Sequence, residues 1–282
     1  MMYDCGLILE GGGLRGLYTA GVLDYFIEKD VEFSDIYGVS AGAFNAVSYI
    51  TKQKERSKNI NIGFVNDKRY LNMKNVFKRK PLFNLDFIVY DVPEKYFPFD
   101  YEKFYNSKSK FHCVSTNVET GKAEYFDIND IRENMELLKS TGSLPMFGEI
   151  VEANGLKLLD GGVADSIPIE KSLENNKKNV LILTRNKDYI KEKAKFYGLH
   201  KIRYRKYPKL IEAMENRHIR YNKILELIHD LEEKKEIFVI RPSKPLEVDV
   251  FEKDKEKLEK LYFNGYDDAK ELYNSLIEYI EK

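Results

Sequence analysis

No apolar run in the 282 residues approaches the roughly eighteen needed to cross a bilayer, so the fold is not built on membrane-spanning helices. Cysteine is scarce. Only Cys5 and Cys113 occur, each in a short apolar run of strand character, which excludes a disulfide framework and marks both as reduced packing residues. Neither sign of charge is in excess, with 46 Lys and Arg against 46 Asp and Glu, so the whole chain has no bias toward nucleic acid and any partner preference is local. The opening MMYDCGLILEGGG has an early acid and a brief apolar run where a signal peptide has a basic start and a longer apolar core. Internal repeats and low-complexity tracts are also missing. These absences predict a cytoplasmic protein that is soluble or peripheral to a membrane surface.

What is present patterns as an α/β chain long enough for one large domain. A short strand at 6–10 meets a glycine cluster, and a helix follows over 17–29 with apolar Leu17, Ala20, Leu23, Phe26 and Ile27 at helical spacing. A second strand, 36–39, leads into Ser40 and a helix within 41–53. Two strand-turn-helix units in succession predict a mainly parallel sheet covered by helices. Further strands are expected at 111–118, 123–126, 156–160 and 179–184, with a helical stretch starting at Asp130. Between them, 64–105 holds twelve Phe and Tyr with Pro81, Pro93 and Pro98 and reads as an irregular aromatic excursion. From Arg185 the chain turns lysine-rich and mostly helical, broken by a strand at 237–241. Because that strand is expected to rejoin the sheet, 1–282 reads as a single domain, with a core of about 4–184 and a C-terminal part of 185–282.

Three short segments carry the chemistry. Gly38-Val39-Ser40-Ala41-Gly42 is a G-x-S-x-G between a strand and a helix, a turn that exposes the serine hydroxyl at a helix N-terminus. The same five residues also suit a plain helix start with Ser40 as its cap. Gly11-Gly12-Gly13-Leu14-Arg15-Gly16 likewise follows a strand and opens a helix, so its backbone N–H groups suit an oxyanion or a phosphate. Its G-x-G-x-x-G spacing also fits a dinucleotide site, but that expects an acid at the end of the second strand, and Asp35 lies at the strand's start. Arg15 is as compatible with a salt bridge as with the chemistry. Leu159-Asp160-Gly161-Gly162 puts an acid at a strand end before two glycines, at the sheet edge expected for Ser40. Alone, it is an ordinary turn signal.

In this order the three segments resemble the patatin-like phospholipase family, whose pattern is G-G-G-x-R-G, then G-x-S-x-G, then D-G-G or D-G-A. Ser140-Thr141-Gly142-Ser143-Leu144-Pro145 is similar to the small-residue element that the family carries before its aspartate. The resemblance implies a three-layer α/β/α fold and a Ser-Asp dyad that hydrolyses acyl esters of phospholipids or other lipids. Carried over, Ser40 is the nucleophile, Asp160 the general base, and the amides around Gly11, Gly12 and Gly13 the oxyanion hole. Arg15, Gly16, Gly38, Gly42, Gly161 and Gly162 complete the motifs. The family needs no metal and no cofactor.

A Ser-His-Asp arrangement is the rival, since His200, His218 and His229 follow Asp160, though all three fall in the lysine-rich helical part. His112 precedes Asp160 on a strand and reads as a packed residue. The aromatic excursion either walls an acyl pocket with Phe83, Phe87, Tyr96, Phe97 and Phe99, or forms a satellite cluster under long loops. Over 185–223, 13 Lys and Arg face 4 Asp and Glu, with Tyr189, Phe196, Tyr197, Tyr204 and Tyr207 interleaved. That composition suits a solvated helical face or contact with an anionic membrane, and nucleic acid is not expected. The partner implied is a lipid ester.

Overall fold

The computed structural model describes residues 1–72, 74–77, 81–195 and 198–282. Among them run eight strands: β1 (Met2–Leu9), β2 (Glu32–Val39), β3 (Lys110–Asn117), β4 (Ala123–Asp127), β5 (Val151–Ala153), β6 (Leu156–Asp160), β7 (Asn179–Ile182) and β8 (Phe238–Ile240). The helices are α1 (Gly16–Glu28), α2 (Ala41–Ile50), α3 (Arg56–Phe64), α4 (Lys74–Phe77), α5 (Tyr101–Tyr105), α6 (Met135–Thr141), α7 (Ile169–Leu173), α8 (Leu199–Arg203), α9 (Pro208–Glu233) and α10 (Lys255–Glu281). None of them is long and apolar enough to cross a membrane.

The strands form one sheet in the order β5-β6-β3-β2-β1-β7-β8, with β4 also on β3. The pairs β3–β2, β2–β1, β1–β7 and β7–β8 are parallel, while β4, β5 and β6 pair antiparallel. The sheet is therefore mixed, with a parallel centre, and the late strand β8 does join it. Strand alternation makes three layers. On β1, Leu7 and Leu9 enter the cluster holding Phe26 of α1, Ala46 of α2 and Leu261 of α10, and Ile8 enters the opposite one with Ile169 of α7 and Ile228 of α9. Residues Val180 and Ile182 of β7 follow the first face, and Leu181 the second.

Pairing along β3 positions the site. Val114 pairs with Val39 on one side and Tyr125 on the other, and the next residue, Ser115, pairs with Asp160 and Glu124. β4 is thus the constant neighbour on one edge, and β6 takes over the other edge where β2 stops. The end of β6 is thereby set beside the turn that leaves β2. In sequence these ends are far apart; in register they are consecutive.

The aromatic excursion is more regular than its sequence suggests. Phe87–Tyr96 forms a wide π-helical coil with Pro93 inside it, where the missing N–H of proline breaks the ordinary i to i−4 ladder.

Candidate active site

Ser40 stands between β2 and α2 with φ 53 and ψ −122, a conformation that side chains rarely adopt. It is held there from both sides. Its N–H donates to Thr141 Oγ1 (2.8 Å), whose hydroxyl donates in turn to the Val114 carbonyl (2.5 Å), and its carbonyl accepts from Ala43 and Phe44. Thr141 ends α6, so the small-residue element before the aspartate clamps the serine turn onto β3. The motif glycines allow close backbone approach. A Cβ on Gly42 would lie 2.3 Å from the Leu9 carbonyl oxygen, and one on Gly38 would lie 2.6 Å from Ala43 Cα. The Ser40 turn is therefore wedged against the end of β1.

The glycine loop lies alongside. A Cβ on Gly11 would meet Val39 O at 3.0 Å and Ser40 Cβ at 3.1 Å, while one on Gly16 would lie 2.9 Å from Ala41 Cβ. Gly13 has φ +56, the left-handed region that glycine occupies freely. The N–H groups of Leu14 and Arg15 are taken by Val250 and Gly12 carbonyls. Among the described residues, those of Gly11, Gly12 and Gly13 donate to no backbone carbonyl outside regular elements. They remain available to an anion next to Ser40.

Asp160 ends β6, is 3 % exposed, and accepts the Gly162 N–H at Oδ1 (2.8 Å). Gly161 sits against β3, where a Cβ would lie 2.2 Å from Val114 O. Burial pushes the Asp160 pKa above the usual carboxylate value, and the Ser40 hydroxyl, Arg217 and the Gly162 N–H oppose that rise. The Ser40 hydroxyl is thus close enough to act on the carboxylate, yet Oδ2 stays buried without a well-formed hydrogen bond. Such bonds are often long before substrate binds.

No histidine among the described residues hydrogen-bonds to Ser40 or Asp160. His112 is packed, as its strand position suggests: it bridges Asp35 (2.8 Å) and Asp127 (2.5 Å) and stacks on Tyr37. Asp35 is thereby committed to His112, in mid-strand and away from the glycine loop. His200 pairs with Glu215 and His229 with Glu233.

An apolar cavity of about 110 Å³ borders Gly13 and Ser40 and is walled by the aromatic excursion through Tyr70, Phe83, Leu85 and Phe99. Of the five rings expected there, Phe83 and Phe99 line it. Phe87, Tyr96 and Phe97 instead pack edge-on around Phe64, with ring centroids 5.2 to 5.9 Å away. Two of the rings thus line a cavity and three form a satellite cluster.

In the basic segment, Phe196 and Tyr197 lie outside the described residues. Its other tyrosines turn inward. Tyr204 is buried, Tyr207 packs beside it, and Tyr189 meets Tyr221 edge-on. Among the described residues of this stretch, the exposed large apolar ones are Ile190, Leu199, Ile202 and Ile219. Tyrosine's hydroxyl lets it be buried wherever a partner is found, as Tyr204 is by accepting from Met146 N–H. Cys5 and Cys113 are free and buried, and burial pushes both thiols up to about 12.

The chain is 23% identical over 252 residues to YjjU of Escherichia coli K12, described as uncharacterized, covering 85% of this chain and 69% of that one. It is 26% identical over 192 residues to lysophospholipase NTE1 of Cryptococcus neoformans, spanning 63% of this chain but 11% of that protein. Among solved structures, VipD of Legionella pneumophila aligns over 97% of this chain and 67% of its own, at 14% identity and a TM-score of 0.47. Residues 207–281 match a domain of unknown function, DUF6363. Residues 7–172, more than half of the chain, match the patatin-like phospholipase model, and the protein belongs to that family.

Proposed function

We propose that the protein is a lipid acyl hydrolase in which Ser40 and Asp160 act as a catalytic dyad. The observation that carries this reading is the convergence of two chain segments on the strained serine turn: a buried carboxylate on one side and a glycine loop packed against Ser40 on the other. Asp160 takes the Oγ proton as Ser40 attacks the ester carbonyl carbon, and the amides of Gly11 to Gly13 hold the oxyanion that forms. Collapse expels the alcohol, which receives the proton from Asp160, and leaves the acyl group on Ser40. Water then gives its proton to Asp160 and attacks, and the second collapse returns the proton to Ser40 as the fatty acid leaves. A base raised by burial is better matched to a hydroxyl proton than an exposed aspartate, whose pKa is about 4. Esters, with better leaving groups than amides, suit it best.

Membership of the family and the printed name of the NTE1 relatives support a lipid ester as substrate. A histidine base is disfavoured by the pairing of His112, His200 and His229 with other acids, and a dinucleotide by the commitment of Asp35 to His112. The sheet that runs through β8, and α10 packed on α1, favour reading the chain as one unit. Exposed Ile190, Leu199, Ile202 and Ile219 among Lys and Arg favour contact with an anionic membrane surface; Ile202→Asp should weaken sedimentation with anionic vesicles. The test of the dyad is hydrolysis of short nitrophenyl esters and mixed lipids. Wild type consumes them and Ser40→Ala does not; an alanine variant that kept full activity would end this reading.

A further inference from the structure

The cavity beside Ser40 is walled mostly by apolar side chains, yet α3 brings an arginine to it. From α2, Ala41, Phe44, Asn45 and Ser48 line it, the spacing of one helix face leading away from the serine turn. At a helical rise of about 1.5 Å per residue, Ser48 stands about 12 Å along α2 from Ser40. Arg56, the first residue of α3, lines the cavity at that level and donates from Nη1 to Ser48 Oγ (3.3 Å). The cavity therefore has the reacting hydroxyl toward one end of α2 and a guanidinium toward the other.

Arg56 is held in place without being neutralised. Its Nη2 donates to the Phe97 carbonyl (3.1 Å), and the guanidinium lies 5.2 Å over the ring of Phe99, which also lines the cavity. Its Nε is buried with no hydrogen-bond partner, and among the described residues no carboxylate forms a salt bridge with it. The acids close by in the chain are committed: Glu55 to Lys58, and Asp24 to the Glu55 N–H and the Tyr262 hydroxyl. Burial brings the Arg56 pKa down to about 10, and Tyr101 opposes that fall. Tyr101 supplies no charge near neutral pH, because burial and Glu94 push its own pKa up to about 12. Buried charges are ordinarily paired, so a lone cation with an idle donor in the wall of a cavity indicates an anion that enters the cavity.

We infer that Arg56 receives the far end of the acyl chain, so that the preferred ester carries a medium-length acyl group ending in a carboxylate. The inference rests on the hydrolase reading above, with Ser40 as the attacking group. An extended chain advances about 3.5 Å for every three bonds, so about ten bonds join an ester carbonyl at Ser40 to a carboxylate at Arg56. A half-ester of sebacic acid has that reach. The planar guanidinium fork matches a carboxylate in geometry as well as charge. A plain fatty acyl chain of the same length would set a methyl group against the cation and leave it unpaired.

The experiment compares the nitrophenyl half-ester of sebacic acid with nitrophenyl decanoate in wild type, Arg56→Met and Arg56→Gln. The half-ester of adipic acid against nitrophenyl hexanoate is the short pair. Wild type should favour the sebacic half-ester at least about tenfold in kcat/KM, the worth of one hydrogen bond to a charged group. The short pair, whose carboxylate cannot reach Arg56, should show no such preference. Both variants should bring the long-pair ratio to one or below, the glutamine keeping donors for Ser48 and Phe97 while losing the charge. A wild-type ratio near one overturns the inference whatever the variants do. So does an equal preference in the short pair, or a preference that either variant keeps in full. If no ester of either kind is hydrolysed, the hydrolase reading fails and Tm decides the pocket. Sebacate raising Tm more than decanoate in wild type but not in Arg56→Gln would keep the anion site, and equal rises would remove it.

Discussion

Replacing Gly42 by alanine tests whether the serine turn depends on its wedge against β1. The added Cβ would lie 2.3 Å from Leu9 O, 2.8 Å from Leu9 C and 3.0 Å from Glu10 O, backbone atoms at the end of central strand β1 and of the residue that follows it. Ordinary contact begins at 3.4 Å, so the turn and the start of α2 must retreat by about 1 Å. β1 is pinned by β2 and β7 on its two sides and does not yield. Overpacking of this size costs about 1–3 kcal/mol, seen as a Tm lower by roughly 2–10 °C. The larger effect falls on turnover, because a misplacement of about 1 Å at a reacting group costs on the order of a hundredfold. Gly63 is the control: it lies in α3 with nothing within 4 Å of its Cβ position, so Gly63→Ala should leave turnover unchanged and stabilise by up to about 1 kcal/mol. The assay is kcat on a short ester together with thermal unfolding of all three proteins. If Gly42→Ala matched wild type in both, the wedge would carry no weight.

Further outcomes follow from the same geometry. Thr141→Val strips Ser40 N–H and Val114 O of their shared partner and should cost about 1–3 kcal/mol by denaturant unfolding, with a fall in kcat as the turn relaxes. Because Asp160 must be ionised to act and burial raises its pKa, the acid limb of kcat/KM should lie above the ordinary value of about 4; Arg217→Gln, which removes a lowering influence, should move that limb higher still. A limb at or below 4 would contradict the assignment. Asp24 tests linkage away from the site. Burial pushes it up to about 6, so its contribution to stability is full below about 4 and is lost as pH rises through 6. Glu55 N–H and the Tyr262 hydroxyl both donate to one Asp24 oxygen, which the amide oxygen of Asp24→Asn can replace. That variant should exceed wild type at pH 8 by up to about 3 kcal/mol, and the gap should close toward pH 4.

Much of the site was legible because its parts are local. A strand, a glycine turn and a helix are each written in a dozen residues, and so Ser40, the glycine loop and Asp160 could be read one segment at a time. How they meet was not written locally. β6 takes over the edge of β3 one residue past the end of β2, and no pattern in either strand states that register. The short β5 carries too little alternation to be seen. Thr141 was visible as part of a small-residue element, but its clamp on Ser40 needs the two ends of a 101-residue separation brought together. The basic segment shows the converse: composition there does not distinguish a buried tyrosine such as Tyr204 from an exposed isoleucine such as Ile202.

The central claim is that Ser40 is a nucleophile activated by Asp160. Its most direct measurement is reaction with a fluorophosphonate, followed by peptide mapping in wild type and Asp160→Asn. A single adduct on Ser40 in wild type, much slower to form when the carboxylate is replaced by an amide, is the predicted result. An unlabelled Ser40 in folded protein, or labelling at equal rates with and without the carboxylate, would contradict it.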